Sequence, residues 1–207
     1  MVRVLLLVSI AACATATTDH RASGADADAG VVRDAALDGR GSGSAGCSFT
    51  GVLATWDLSS QTGSEVQVVA GTMAPGVVAG ALARSAAILA TTGTGSINST
   101  NWPSQTQPDA TRYYKLTIAP PGGCTLKITG LSLDLKASTS GPAAAAIASS
   151  ADAFAATTPA STAAPSSPTL SIASADPLEL HIYGFAATST SGTLRVQGSL
   201  VIHGSLQ

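Results

Sequence analysis

Charge is scarce in this sequence. Only 11% of its 207 residues are Asp, Glu, Lys or Arg, and the formal net charge is −2. Past Gly46 the cations are Arg84, Arg112, Lys115, Lys127, Lys136 and Arg195, with no basic cluster among them. A surface that holds phosphates needs such a cluster, so nucleic acid is not expected as a partner. Histidine is equally scarce, at positions 20, 181 and 203. Zinc needs three or four ligands at workable spacing, which His181 and His203 do not supply. Nucleophilic catalysis needs a base aimed at a Ser or Cys. His181 and His203 could meet across strands near Asp134 or Glu179, but no G-x-S-x-G or comparable signature accompanies them. There is no cofactor motif and no internal repeat. No apolar run past the N-terminus is long enough to span a bilayer, since GVVAGALARSAAILA is broken by Arg84.

The front end is informative. Arg3 precedes a short apolar run from Val4 to Ala12, followed by small residues, which reads as an export signal. Two cuts are open. Ile10-Ala11-Ala12-Cys13 has the form of a lipobox, which makes residues 1–12 the signal and Cys13 the lipidated first residue. Ala14-Thr15-Ala16 fits an ordinary A-x-A cut and a secreted, soluble product. Each buried acyl CH₂ contributes about 0.8 kcal/mol, so a multiply acylated Cys13 would anchor the chain at a membrane. Residues 13–46 carry the anchor and a stretch rich in Ala, Asp and Gly with no hydrophobic period. Such a stretch cannot bury enough apolar surface to offset its ordering entropy, and it is expected to be a flexible tether. Asp26, Asp28 and Gly30 hint at a calcium loop, but the third acidic position and the closing Glu are missing. The front resembles that of Gram-negative lipoproteins, where Ala14 in place of Asp after the cysteine implies sorting to the outer membrane or cell surface. The Asp- and Ala-rich tether resembles those of myxobacterial surface lipoproteins.

Residues 47–207 are long enough for one domain, burying about 70% of its unfolded surface. Period-two alternation dominates. In RYYKLTIA, Tyr114, Leu116 and Ile118 share one face, and Tyr113, Lys115 and Thr117 the other. Pro120-Pro121-Gly122-Gly123 forces a turn. In TLKITGLSLDLKAS, Leu126 and Ile128 point inward, Gly130 marks a bulge, and Leu131, Leu133 and Leu135 resume the inner face. LELHIYGF puts Leu178, Leu180 and Ile182 inside, and Glu179, His181, Tyr183 and Phe185 outside. GTLRVQGSLVIHG gives two strand-like runs hinged at Gly198, and FTGVLATWDLS and GVVAGALAR are further strands. AAAAIASSADAFAA is ambiguous, because alanine is the best helix former. The expected fold is all-β: one antiparallel β-sandwich, jelly-roll-like, after a disordered N-terminal tether.

The ordered motifs ATWDLS, ALARSAAI, GSINSTNWP, DATRYYKLTIAPPGGCTL, LSLDLKASTSGPAAAAIASSADAF, LELHIYGF and SGTLRVQGSLVIHG resemble a β-sandwich module of exported bacterial proteins. It is similar to jelly rolls of the carbohydrate-binding kind and has no assigned activity. The resemblance spans Phe49 to Gly204. It matches Trp56 and Asp57 to a W-D-F pair, Asn98 and Trp102 to a polar segment before a tryptophan, and Tyr114 to a strand aromatic. Asp134 matches an acidic residue that ends L-x-F-D. Ser149, Ser150, Asp152 and Phe154 match R-S-S-x-D-G-F, which makes the alanine segment a strand plus a turn. Two arginines of the pattern are replaced here, by Ala148 and His181.

The outer side of LELHIYGF is the candidate ligand face. Tyr183 and Phe185 offer flat apolar rings, and Glu179 and His181 offer hydrogen-bonding groups, the mixture that sugar binding uses. Tyr183 is the expected anchor, and Tyr183→Ala is expected to remove binding with little effect on stability. The missing arginines imply a neutral ligand. Lys115, Lys127, Lys136 and Arg195 are assigned to the polar side of one sheet, and Trp56 and Trp102 to core or turn packing. No catalytic residue is assigned. The only cofactor entertained is structural calcium, with Asp57, Asp134 or Asp152 as weak candidate ligands and a turn cap as the alternative role of each. Cys47 and Cys124 are the cysteines left in an exported domain and are expected to pair, the alternative being two thiols. The functional expectation is a non-enzymatic cell-envelope lipoprotein that binds a neutral glycan or another surface polymer. The alternative is a structural or adhesive envelope protein, and a hydrolase ranks last.

Overall fold

A computed structural model describes residues 46–207. The signal at 1–12, Cys13 and the 13–46 tether up to residue 45 lie outside the described residues. The strands, in chain order, are β1 (Phe49–Asp57), β2 (Gln67–Val68), β3 (Thr72–Met73), β4 (Val78–Ala79), β5 (Leu82–Arg84), β6 (Leu89–Ala90) and β7 (Ser96–Thr100). The second half adds β8 (Tyr113–Ala119), β9 (Leu126–Ala137), β10 (Pro142–Ser149), β11 (Thr158–Ala160), β12 (Thr169–Ser174), β13 (Leu178–Ala187) and β14 (Leu194–Leu206). One sheet runs β12-β9-β14-β1-β3, with β7 also on β14 and β6 on β7; the other runs β11-β10-β13-β8-β5-β2, with β4 also on β8. All ladders between these strands are antiparallel. This is an all-β antiparallel sandwich.

The long strands follow the alternation of their sequences. Leu126, Ile128, Leu131, Leu133 and Leu135 of β9 are buried, as are Tyr114, Leu116 and Ile118 of β8 and Leu178, Leu180 and Ile182 of β13. The β9 parity changes at Gly130, where the register against β14 slips between His203 and Gly204. GTLRVQGSLVIHG forms one strand rather than two. Gln197 lies opposite Asp134 but Val201 opposite Ser132, so β14 carries extra residues there, and Gly198 takes up φ +67°. Trp56 and Trp102 are core residues, 0% and 1% exposed. Their ring nitrogens donate to the carbonyls of Gly80 (3.0 Å) and Ser99 (2.8 Å), so neither leaves a buried N–H unpaired.

The alanine run becomes β10, followed by a 3-10 turn at Ser150–Asp152. Pairing with β13 and β11 overrides alanine's helix propensity. Ala146 and Ala148 lie opposite Tyr183 and His181. Residues directly opposite in an antiparallel pair share a face. Small side chains on β10 therefore stand beside large ones on β13.

A half-buried guanidinium ties the first half together. Arg84 donates to the Ser99 hydroxyl at 2.7 Å, the Asn98 carbonyl at 2.8 Å, and the carbonyls of Glu65 and Gly63. Nearby, the Glu65 carboxylate accepts from the Thr62 N–H (2.5 Å), the Thr62 hydroxyl (2.7 Å) and the Gly63 N–H (2.8 Å). Desolvation pushes its pKa up, but these bonds outweigh it and hold the group at about 2.

Cys47 and Cys124, 77 positions apart in sequence, are joined by a disulfide with Cα atoms 5.3 Å apart. The bridge ties the start of β1 to the turn between β8 and β9.

Candidate functional site

The site forms on the outer face of β13. Strand parity puts Glu179, His181 and Tyr183 there, and β8 contributes Thr117, Lys115 and Tyr113 in register opposite them. The face is not open. The chain leaving the 3-10 turn enters the left-handed region at Ala153 (φ +56°) and Phe154 (φ +63°) and drops the Phe154 ring onto His181. The imidazole lies between two rings, with Phe154 at 4.0 Å on one side and Tyr113 at 3.6 Å on the other, both nearly parallel to it. Tyr183 stands edge-on to His181 and to Tyr113. His181 and Tyr183 are each 5% exposed.

A line of polar contacts runs along the strand. His181 Nε2 lies 2.6 Å from Glu179 Oε1, and His181 Nδ1 lies 2.9 Å from the Tyr183 hydroxyl. Lys115 Nζ is 3.7 Å from Glu179 Oε2. A carboxylate only accepts, so Nε2 carries the proton. Burial lowers the imidazole pKa, Glu179 opposes that effect and Lys115 reinforces it, so the ring is neutral at neutral pH. The neutral ring's Nδ1 is then an acceptor, and the Tyr183 hydroxyl must donate to it. Burial raises the Tyr183 phenol pKa, and Tyr113 and Glu179 push the same way. The phenol stays protonated, which suits hydrogen bonding to a ligand rather than proton abstraction.

Beside this stack opens a cavity of about 350 Å³, lined by Pro108, Ala110, Ala153, Phe154, Thr157, His181 and Tyr183. That is room for a sugar ring. Of the residues assigned to the ligand face, His181 and Tyr183 line the cavity. Glu179 sits behind them as the partner of His181, and Phe185, opposite Ala144, is not part of the lining. Tyr183 is too buried to be a free surface platform, so Tyr183→Ala would cost stability, contrary to the expectation above. Phe154 and Tyr113 complete the stack. Tyr113 shares strand parity with Lys115, but its register against β13 is not readable from sequence. Phe154 lies in a turn that no periodicity marks.

Other assignments disperse. His181 is on β13 and His203 on β14, in different sheets, and His203 Nε2 instead meets the Ser132 hydroxyl at 3.0 Å. Lys115 is in one sheet, whereas Lys127, Lys136 and Arg195 are in the other. Asp57 accepts from the Ser59 N–H, Asp152 from the Ala156 N–H, and Asp134 from the Gln197 amide. Among the described residues no three His, Cys, Asp or Glu side chains gather where a metal ion could be held. The calcium candidates therefore do not form a common site, and Asp57 and Asp152 act as turn caps. The positions of the two replaced arginines, Ala148 and His181, are directly opposite each other.

The fold and site define an antiparallel β-sandwich with an aromatic-walled cavity on a sheet face, lined by no charged side chain. No protein-family model, no curated protein and no solved structure matches the chain.

Proposed function

We propose that this protein is a non-enzymatic, lipid-anchored cell-envelope protein whose sandwich binds a neutral glycan or a similar surface polymer. The observation that carries the reading is the cavity between Phe154, Tyr183 and His181. It combines the half-buried Phe154 ring for stacking with the Tyr183 and Thr157 hydroxyls for hydroxyl recognition, and no charged side chain lines it. The disulfide supports an exported setting, where such bridges persist. The lipobox at Cys13 supports the anchor and an outer-membrane or surface location.

Two experiments test this. The full chain, extracted from membranes and applied to a glycan array, should be retained by neutral glycans, and Phe154→Ala should lose that retention. No retention by any neutral glycan gives the structural or adhesive reading precedence. Mass spectrometry of the membrane fraction should find a lipid-shifted peptide beginning at Cys13. A free amino terminus at Thr17 would instead mean a secreted, soluble protein.

A further inference from the structure

We infer that His181 sets the hydrogen-bond polarity of Tyr183, so that the cavity takes neutral sugars at neutral pH and admits carboxylated sugars on acidification. This rests on the glycan reading above.

The argument is one of proton placement. With Glu179 accepting from Nε2–H, the neutral imidazole has one free lone pair, on Nδ1, and the Tyr183 hydroxyl donates to it at 2.9 Å. The phenol proton is thereby used up. What Tyr183 offers the cavity is oxygen lone pairs, which a sugar hydroxyl can meet by donating. A carboxylate only accepts, and it finds no donor on Tyr183, which leaves the Thr157 hydroxyl as the one side-chain donor among the lining residues. Protonating His181 puts a hydrogen on Nδ1, which then donates to the phenol oxygen. The phenol proton turns toward the cavity and can be donated to a carboxylate. A hydroxyl both donates and accepts, so it fits either state.

The groups around the ring let it titrate within this frame. On its own strand Glu179 favours the cation. From β8, Lys115 opposes it and Tyr113 stacks on it. From β10 it meets Ala148, which has no charge. The 3-10 turn brings Phe154 onto the ring, and the turn's Asp152 is occupied with the Ala156 N–H. The segment that supplies Pro108 and Ala110 to the cavity carries Asp109 and Arg112, 3.7 Å apart as an ion pair.

The probes are methyl glucoside and methyl glucuronide, which share a ring and differ by one carboxylate. Their binding to the full chain is measured from pH 7.5 to pH 4, with ¹⁵N-imidazole NMR following His181 in the same samples. At pH 7.5 His181 should carry its proton on Nε2, and the glucoside should bind at least tenfold more tightly than the glucuronide, about the worth of one charge-assisted hydrogen bond. The ratio should close by about tenfold as His181 protonates. Tyr183→Phe should bind both sugars with a ratio that no longer follows this titration. A ratio that stays constant through His181 protonation, or a proton on Nδ1 at pH 7.5, overturns the inference while leaving the glycan reading intact. Failure of both glycosides to bind at any pH overturns both.

Discussion

The left-handed turn over the site should respond in opposite directions to changes at two adjacent residues. Ala153 and Phe154 hold φ +56° and +63°, where a Cβ crowds the backbone at about 1–2 kcal/mol per residue. Ala153→Gly removes that crowding at the loss of one exposed methyl on the cavity wall. Glycine's looser unfolded chain returns about 0.4–1 kcal/mol of the gain. The net expectation is about 0.5–1 kcal/mol more stability, or ~1–4 °C in Tm for a domain of this size. Phe154→Ala keeps the Cβ, and so the strain, but loses the ring stacked 4.0 Å from His181. Lost burial and stacking should cost about 1.5–3 kcal/mol. With the ring gone, water reaches the imidazole, and the desolvation that lowers its pKa relaxes, so His181 should titrate closer to its ordinary value. Thermal unfolding measures the first pair of effects and imidazole NMR the last. A fall in Tm for Ala153→Gly, or an unmoved His181 titration in Phe154→Ala, would refute the account of a strained turn holding a ring over a dry histidine.

Leu180→Ala, at a fully buried position on the inner face of β13, should cost about 2–5 kcal/mol in denaturant unfolding and leave the cavity's lining residues in place. Cys47→Ser with Cys124→Ser should lower stability by about 4 kcal/mol, the chain-entropy value for a loop of this length, and reducing agent should then have no further effect. Arg84→Lys should cost about 1–3 kcal/mol, because an ammonium cannot reproduce the fork that reaches the Glu65, Gly63 and Asn98 carbonyls together, although Gly63 and Asn98 keep backbone donors in Asn98 and Thr91; an unchanged unfolding midpoint would mean that lysine or water replaces the lost bonds. Glu65 has a folded pKa below its unfolded value of 4.5, so its contribution is complete above that pH and is lost as pH falls toward 2; Glu65→Gln should flatten the acid limb of a stability-versus-pH curve.

The parts of this fold that were legible in the sequence are those where packing on one face dictates every second residue. β8, β9, β13 and the end of β14 bury a core on one side, so their parity could be read directly, including the slip at Gly130. β2 to β6 are ladders of two or three residues, too short for a period to form. Pattern alone left β10 undecided, because alanine's small side chain satisfies a helix as well as the space beside Tyr183 and His181; the resemblance, through Ser149, Ser150, Asp152 and Phe154, gave the strand and turn that form. At the site, parity gives the neighbours Glu179, His181 and Tyr183. It cannot tell that the face is roofed, because Phe154 comes from a left-handed turn whose direction depends on backbone angles rather than on pattern. The same roof makes Tyr183 a buried wall of the cavity rather than an exposed platform.

The bridge between Cys47 and Cys124 also fixes how the domain would meet a mechanical load. Chain from residue 46 back enters the sandwich at Cys47, just before Phe49 pairs with Leu206 of β14. On the other side of β14, Leu206 pairs with Leu126 of β9, close to Cys124. A pull from the N-terminal side therefore reaches β1 and the head of β9 together, on both flanks of one strand, and β1 cannot be peeled away alone. The segment between the two cysteines, 77 positions apart, is closed into a loop. Opened and stretched, it would lengthen the connection by about 250 Å. With the bridge intact that slack is withheld, and the cavity on the other sheet keeps its shape under a force that would otherwise unravel the first half of the domain.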